Sequence, residues 1–221
     1  MHVAASPDLD PEDPAAGAPE AAAPETKRRT RPKPGERRVQ ILQTLASMLE
    51  QPGAERVTTA ALAGRLEVSE AALYRHFASK AQMFEGLIEF IESSIYTLLN
   101  QITEREATGL VQAQRIVSVL LQFGERNPGM SRVMVGDALV YENERLIQRM
   151  NLFFDRVEAT LRQVLRQAAE AEGSETPTVQ ANAQASVLVS FIIGRLQRYA
   201  RSGFKRMPTE QLDVALALLT R

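Results

Sequence analysis

The sequence predicts an all-α protein of about nine helices. Three observations carry that reading. Hydrophobic residues make up 44% of the 221 positions while aromatics reach only 5% with no Trp, so Ala, Leu, Ile and Val must build the core. Apolar residues recur at three- and four-residue steps through several long stretches, the spacing that lines one face of a helix. Breaks such as Gln51-Pro52-Gly53, Pro128-Gly129 and Pro208 cut those stretches at helical lengths. A chain of this length fits one large or two small domains and can bury a substantial core.

Taken in order, the chain opens with a strongly biased segment. Residues 1–26 are rich in Ala and Pro and hold six acidic residues and no Lys or Arg. They offer too little apolar surface to offset chain entropy, so they read as disordered. A signal peptide is excluded, because the segment has neither a basic start nor an apolar centre. Residues 27–34, KRRTRPKP, form a basic arm whose prolines stop any helix. It is either a solvated linker or an arm lying on phosphates or in the minor groove. The second reading is preferred because the arm abuts the domain, 35–80, in which a helix-turn-helix is expected. Residues 27–80 hold eleven Lys or Arg against five Glu, although the whole chain sums to −1. A polyanion would be met by this segment, with salt-sensitive affinity.

The first helix is expected from Pro34-Gly35 to Leu49, with Ile41, Leu45, Met48 and Leu49 inward and Arg37 and Arg38 in its first turn. Thr58 or Thr59 can cap the next, which carries Leu62, Ala63 and Leu66. After a two-residue joint, Glu67-Val68, Ser69 can cap a third helix whose first turn is Glu70, Ala71 and Ala72. So short a joint makes the helices cross steeply, as in a helix-turn-helix whose second helix enters the major groove. Leu73 and Phe77 face the core, Tyr74, Arg75 and His76 the flank. Ser79-Lys80 starts a fourth helix whose amides and lysine can hold a phosphate. Two ordinary amphipathic helices are the bland alternative.

The run Leu-Tyr-Arg-His-Phe-Ala-Ser-Lys at 73–80 resembles the DNA-binding domain of the TetR family of bacterial regulators. On that reading base edges are read by Thr58, Thr59, Ser69, Glu70, Ala71 and Ala72. Alanine methyls can touch thymine methyls, and Glu70 can accept from cytosine N4. Arg56, Tyr74, Arg75, His76 and Lys80 hold phosphates.

The remainder, 81–221, reads as a helical dimerisation and partner-binding domain. The fourth helix, to about Ile102, buries Phe84, Ile88, Ile91, Ile95, Leu98 and Ile102, with Glu85, Glu89 and Glu92 wet. Phe90 lies about 120° off that stripe, ringed by Gly86, Ser93, Ser94 and Thr97. It is either the knob of a helix–helix contact or the floor of a groove. The fifth helix, Leu110 to Asn127, turns Ala113, Ile116 and Leu120 inward and Arg115, Val119, Gln122 and Arg126 to another face. That face is either solvated or a site for an acidic or amphipathic peptide. A short helix at 131–141 follows, then one from Asn143 to Ala171 with a stripe of Leu146, Met150, Phe153, Val157, Leu161 and Val164. The eighth helix, Val179 to Arg201, is apolar nearly all round at 187–193. That run is too short for a bilayer, which needs about 20 apolar residues. It suits burial on two sides, with Val189, Ile192, Ile193 and Leu196 as the expected homodimer interface. A last helix, Thr209 to Thr220, closes the chain.

Within the TetR family the chain resembles the SlmA group of nucleoid occlusion factors. The resemblance is carried by ValSerGluAlaAlaLeuTyrArgHisPhe at 68–77, LeuIleGluPheIleGlu at 87–92 and PheGlyGluArgAsnProGly at 123–129. ArgGlnVal at 162–164 and ArgSerGlyPheLys at 201–205 extend it. The resemblance implies a cytoplasmic, nucleoid-associated homodimer on palindromic double-stranded DNA. It also implies a groove between the fourth and fifth helices for the C-terminal tail of the division protein FtsZ. Phe90 matches the groove's aromatic, Val119 its aliphatic residue, Arg126 and Asn127 its polar end. Two positions depart from the group's pattern. Glu67 stands at the turn where Gly is usual, at a cost on the order of 1 kcal/mol if that residue needs positive φ. Gln122 replaces a small Gly, crowding the groove or adding a hydrogen bond.

Catalysis is not expected. There is no Cys, only His2 and His76, and no phosphate-cradling glycine loop, so neither a metal site nor a cofactor is expected. The alternative function is a TetR-type repressor released by a small ligand, which needs a pocket with converging polar groups in 110–205.

Overall fold

The computed structural model describes residues 35–51 and 56–220, which form one compact unit with helices and no strand among them. The acidic segment and basic arm expected over 1–34 lie outside the described residues. Nine α-helices follow in order: α1 Glu36–Leu49, α2 Thr59–Arg65, α3 Glu70–Tyr74, α4 Lys80–Arg105, α5 Gly109–Arg126, α6 Pro128–Met134, α7 Glu144–Ala171, α8 Pro177–Arg201 and α9 Leu212–Leu219. A single 3-10 turn, Asp137–Leu139, precedes α7.

Side-chain caps set most of the helix starts. The hydroxyl oxygens of Thr58, Ser69, Ser79 and Thr108 accept from the amides of Ala61, Ala72, Gln82 and Val111, and Asn143 Oδ1 accepts from Arg145. Each satisfies an amide that the helix itself leaves unpaired. Between α2 and α3 the chain turns at Glu67, whose φ is 54°. That left-handed conformation costs a side chain on the order of 1 kcal/mol, so the strain expected from Glu in place of Gly is present.

One continuous core runs through the unit, from Ile41, Leu73 and Phe77 under the helix-turn-helix to Leu161, Leu188 and Ile192. A five-residue loop joins α7 to α8, which pack as an antiparallel pair. Helix α6 wedges between α1 and α8. A Cβ on Gly129 would lie 2.2 Å from the Ala46 carbonyl oxygen, and one on Gly124 2.4 Å from Leu196 Cδ2. A side chain at either position would force its neighbour to move. The first half of α4 is tied to α7 and to the turn before it: Lys80 pairs with Glu142 in that turn, Arg145 with Glu85 at 2.8 Å, and Arg149 with Glu92 at 2.5 Å. Hydrogen bonding to Glu92 pushes the Arg149 guanidinium further above its already high value.

Four expectations need correction. Leu99, not Leu98, takes the buried position in α4; at 100° per residue a fourth step from Ile95 drifts less than a third. The helix expected at 131–141 is α6 plus the 3-10 turn. Pro128 both ends α5 and opens α6, because proline at a first helical position forfeits no bond. The last helix begins at Leu212 rather than Thr209, after Gln211 in the left-handed region. Finally, Val189, Ile192 and Leu196 are only 6, 0 and 0% exposed within this single chain, and Ile193 is half-buried. The first three face the chain's own core, so their side chains are closed to a second subunit. An apolar run in α8 hid which of its sides was which.

Candidate functional site

The N-termini of α2 and α3 form one exposed edge. Thr58 and Ser69 turn an oxygen lone pair back onto their own helices, 3.1 and 3.3 Å from Ala61 N and Ala72 N, a bond that does not use the hydroxyl proton. Thr59 donates its hydroxyl to Glu70 Oε2 at 2.6 Å, linking the first residues of the two helices. Ala71 is exposed, Ala72 half-buried, and Arg56, Tyr74, Arg75 and His76 are exposed on the flank. Small side chains with amide dipoles at helix N-termini suit close approach to a polyanion.

Two cations near this edge are already engaged. Arg38 donates to the His76 carbonyl at 3.0 Å and stacks over Phe77, 4.1 Å from its ring centroid. Its place is thus to brace α3 against α1, rather than to reach outward as its first-turn position suggests. Lys80 starts α4 behind the Ser79 cap, and its ammonium rests on the nearly buried Glu142 carboxylate. Arg56, Tyr74, Arg75 and His76 form no such ion pair among the described residues.

A second surface lies between α4 and α5. Phe90 is 48% exposed, and its ring centroid is 6.3 Å from that of Phe123. Val119, one turn before Phe123 on α5, is half-buried; Gln122 and Arg126 are exposed beside it. Asn127 ends the helix, its Nδ2 donating to the Phe123 carbonyl at 2.8 Å. The floor is therefore aromatic and aliphatic, and the end near the α5 C-terminus carries a cation. A strip of this chemistry could take an amphipathic segment with an acidic group. Phe123 was not among the expected site residues. Its signal was its position four after Val119, on the same helical face.

A third surface is the outer side of α8. Val187 is half-exposed, and a concavity of about 540 Å³ is lined by Phe191, Gly194, Arg195, Arg198, Arg206 and Met207, among others. Arg195 stacks 4.9 Å over Phe191 and donates to the Glu210 carbonyl at 3.0 Å. Among the described residues no cluster of His, Cys, Asp or Glu could hold a metal ion. No helix is long and apolar enough to cross a membrane.

Residues 41–87 match the family model described as bacterial regulatory proteins, tetR family. Residues 107–221 match the SlmA-like model described as tetracyclin repressor-like, C-terminal domain. The nucleoid occlusion factor SlmA of Vibrio cholerae serotype O1 is 50% identical over 185 residues, 83% of this chain and 94% of that protein. The SlmA of Aliivibrio fischeri strain MJ11 is 49% identical over 190 residues, 86% and 96%. Among solved structures, the fatty acid degradation regulator FadR from Bacillus halodurans superposes with a TM-score of 0.67 at 15% identity, covering 86% of this chain and 97% of that one. The ketosteroid transcriptional regulator KstR2 of Mycobacterium tuberculosis gives 0.65 at 20%, covering 83% and 93%. At those identities the solved structures establish a TetR-type fold.

Proposed function

The chain belongs to the SlmA nucleoid occlusion factors of the TetR family, and from that membership we propose that it binds palindromic DNA as a homodimer and, from there, the C-terminal tail of FtsZ, blocking assembly of the division ring over the chromosome. The DNA-reading edge comprises Thr58, Thr59, Ser69, Glu70, Ala71 and Ala72, with Arg56, Tyr74, Arg75, His76 and Lys80 toward the phosphates. It belongs to a DNA-binding domain over 35–80, with dimerisation and partner binding over 81–221.

One observation carries the partner reading: the half-exposed Phe90 over Phe123, an aromatic floor left open by a chain that buries most of its other large apolar residues. Val119, Gln122, Arg126 and Asn127 complete that groove along α5. The tail lies across the two rings with an acidic group toward Arg126. Dimerisation uses the outer sides of α7 and α8, including Val187, Phe191 and Gly194, since Val189, Ile192 and Leu196 are occupied within the subunit. Two-fold symmetry then sets the α3 helices about 34–36 Å apart, one turn of DNA.

The test is fluorescence anisotropy of a labelled FtsZ C-terminal tail peptide titrated with the protein, with and without a duplex obtained by selection. Saturable binding that Phe90→Ala abolishes supports the reading. No peptide binding in either condition, with DNA binding intact, removes it and leaves a repressor whose ligand must be sought.

A further inference from the structure

We propose that Thr59 and Glu70 act as one base-reading unit, in which Thr59 does not contact DNA itself but positions the Glu70 carboxylate. The inference rests on the DNA-binding reading above and gives one of its residues a different task.

A carboxylate at the first position of α3 stands on the edge that would face DNA, inside a segment that is otherwise net positive. Phosphates lie within a Debye length, about 8 Å at physiological salt, so its charge opposes binding to every sequence alike. The α3 N-terminus favours a negative charge, which explains how the group is tolerated but not what it does. In the major groove it can serve only as an acceptor, and the pairing that suits it is the cytosine N4 amino group.

To read a base, an exposed glutamate must first be ordered, and fixing so flexible a side chain costs rotamer freedom. Thr59 supplies that order. It is half-buried at the first position of α2, eleven residues back in sequence, and its hydroxyl reaches Glu70 Oε2 at 2.6 Å across the joint. A threonine hydroxyl has one proton. Spent on Oε2, that proton is not available to a phosphate or a base, whereas Oε1 of Glu70 remains open to accept. Thr58 and Ser69 differ: their oxygens serve as acceptors in the caps and keep their protons.

The experiment uses the full chain. A random duplex library gives the selected palindrome, and affinities are then measured with each half-site base pair replaced in turn. Thermal melts accompany every variant to establish that it is folded. For Glu70→Gln and for Thr59→Val the expected result is loss of preference at the same cytosine-containing pair, on the order of tenfold. Thr59→Ser, which keeps the hydroxyl, retains that preference. The double variant is no less selective than Glu70→Gln alone, as two parts of one unit require. The inference is overturned if Thr59→Val weakens all duplexes equally, alters a different base pair, or changes nothing. It is likewise overturned if Glu70→Gln leaves every preference intact. A wild-type chain that selects no duplex at all removes the DNA-binding reading instead, and this inference with it.

Discussion

The Lys80 ammonium rests against the Glu142 carboxylate, tying the first residue of α4 to the turn that leads into α7. Any phosphate that takes up Lys80 must compete with that carboxylate. Replacing Glu142 by Gln frees the lysine and is expected to tighten binding to all duplexes several-fold, about 1 kcal/mol for a partly buried pair. Lys80→Ala should weaken all sequences alike and reduce the slope of log affinity against log salt by about one. Anisotropy titrations at several salt concentrations check both. Sequence-selective loss in Lys80→Ala would contradict the phosphate assignment.

Phe90→Ala and Phe123→Ala should each cost the tail peptide tenfold or more, as aromatic anchors at the centre of a small interface do. Because Phe90 is half exposed, its removal should shift the melting temperature little. Phe84→Ala, one of the fully buried core phenylalanines, should instead cost about 3–5 kcal/mol of stability. Peptide titration and denaturant melts on the three variants separate a binding role from a packing role.

At Glu67 the positive φ makes side-chain shape decisive. Glu67→Val puts a branched carbon where the left-handed region is most crowded and should destabilise by about 1–2 kcal/mol. Glu67→Gly relieves the strain but adds freedom to the unfolded chain, so it should lie between neutral and about 1 kcal/mol stabilising. Urea unfolding ranks the three.

Much of this was legible beforehand because it depends on local pattern. Ser69 and Thr58 announce helix starts, Leu73 and Phe77 share a face, and Phe90 breaks a stripe. What escaped depends on meetings between distant segments. The pairing of Lys80 with a residue sixty-two positions away has no local signature. Nor does the turning of Arg38 onto Phe77. In α8, apolar residues on nearly every side gave no gradient from which to choose the inner face, so Val189, Ile192 and Leu196 were assigned to the wrong one. Phe123 is a milder case: it lies close before the helix-ending Asn127-Pro128-Gly129, and only the extension of α5 to Arg126 puts it on the face of Val119.

That reassignment of α8 gives a direct test. Val187→Asp, on the exposed side, should shift the protein from dimer to monomer in light scattering after gel filtration, with its helical content kept. Ile192→Ala should leave the dimer in place and lower stability by about 2–5 kcal/mol, the usual range for truncating a fully buried aliphatic side chain.

Gly124 and Gly129 should differ in tolerance. In Gly124→Ala the new methyl meets the end of the Leu196 side chain and the Ser131 hydroxyl, which can shift, at about 1–3 kcal/mol. In Gly129→Ala it meets the Ala46 backbone carbonyl, which cannot move without α1. The second variant should therefore be the less stable of the two in thermal melts.

That same backbone contact bears on which DNA sites are usable. In the proposed dimer, α6 pressed directly on α1 would restrain each helix-turn-helix against its platform, so that the protein would favour one separation of the two heads. A site whose halves are one base pair too close or too far must then be overwound or unwound to fit, so tolerance of spacing becomes a property of the DNA's torsional stiffness. Sites with an easily twisted pyrimidine–purine step at their centre would be the ones to accept an irregular spacing.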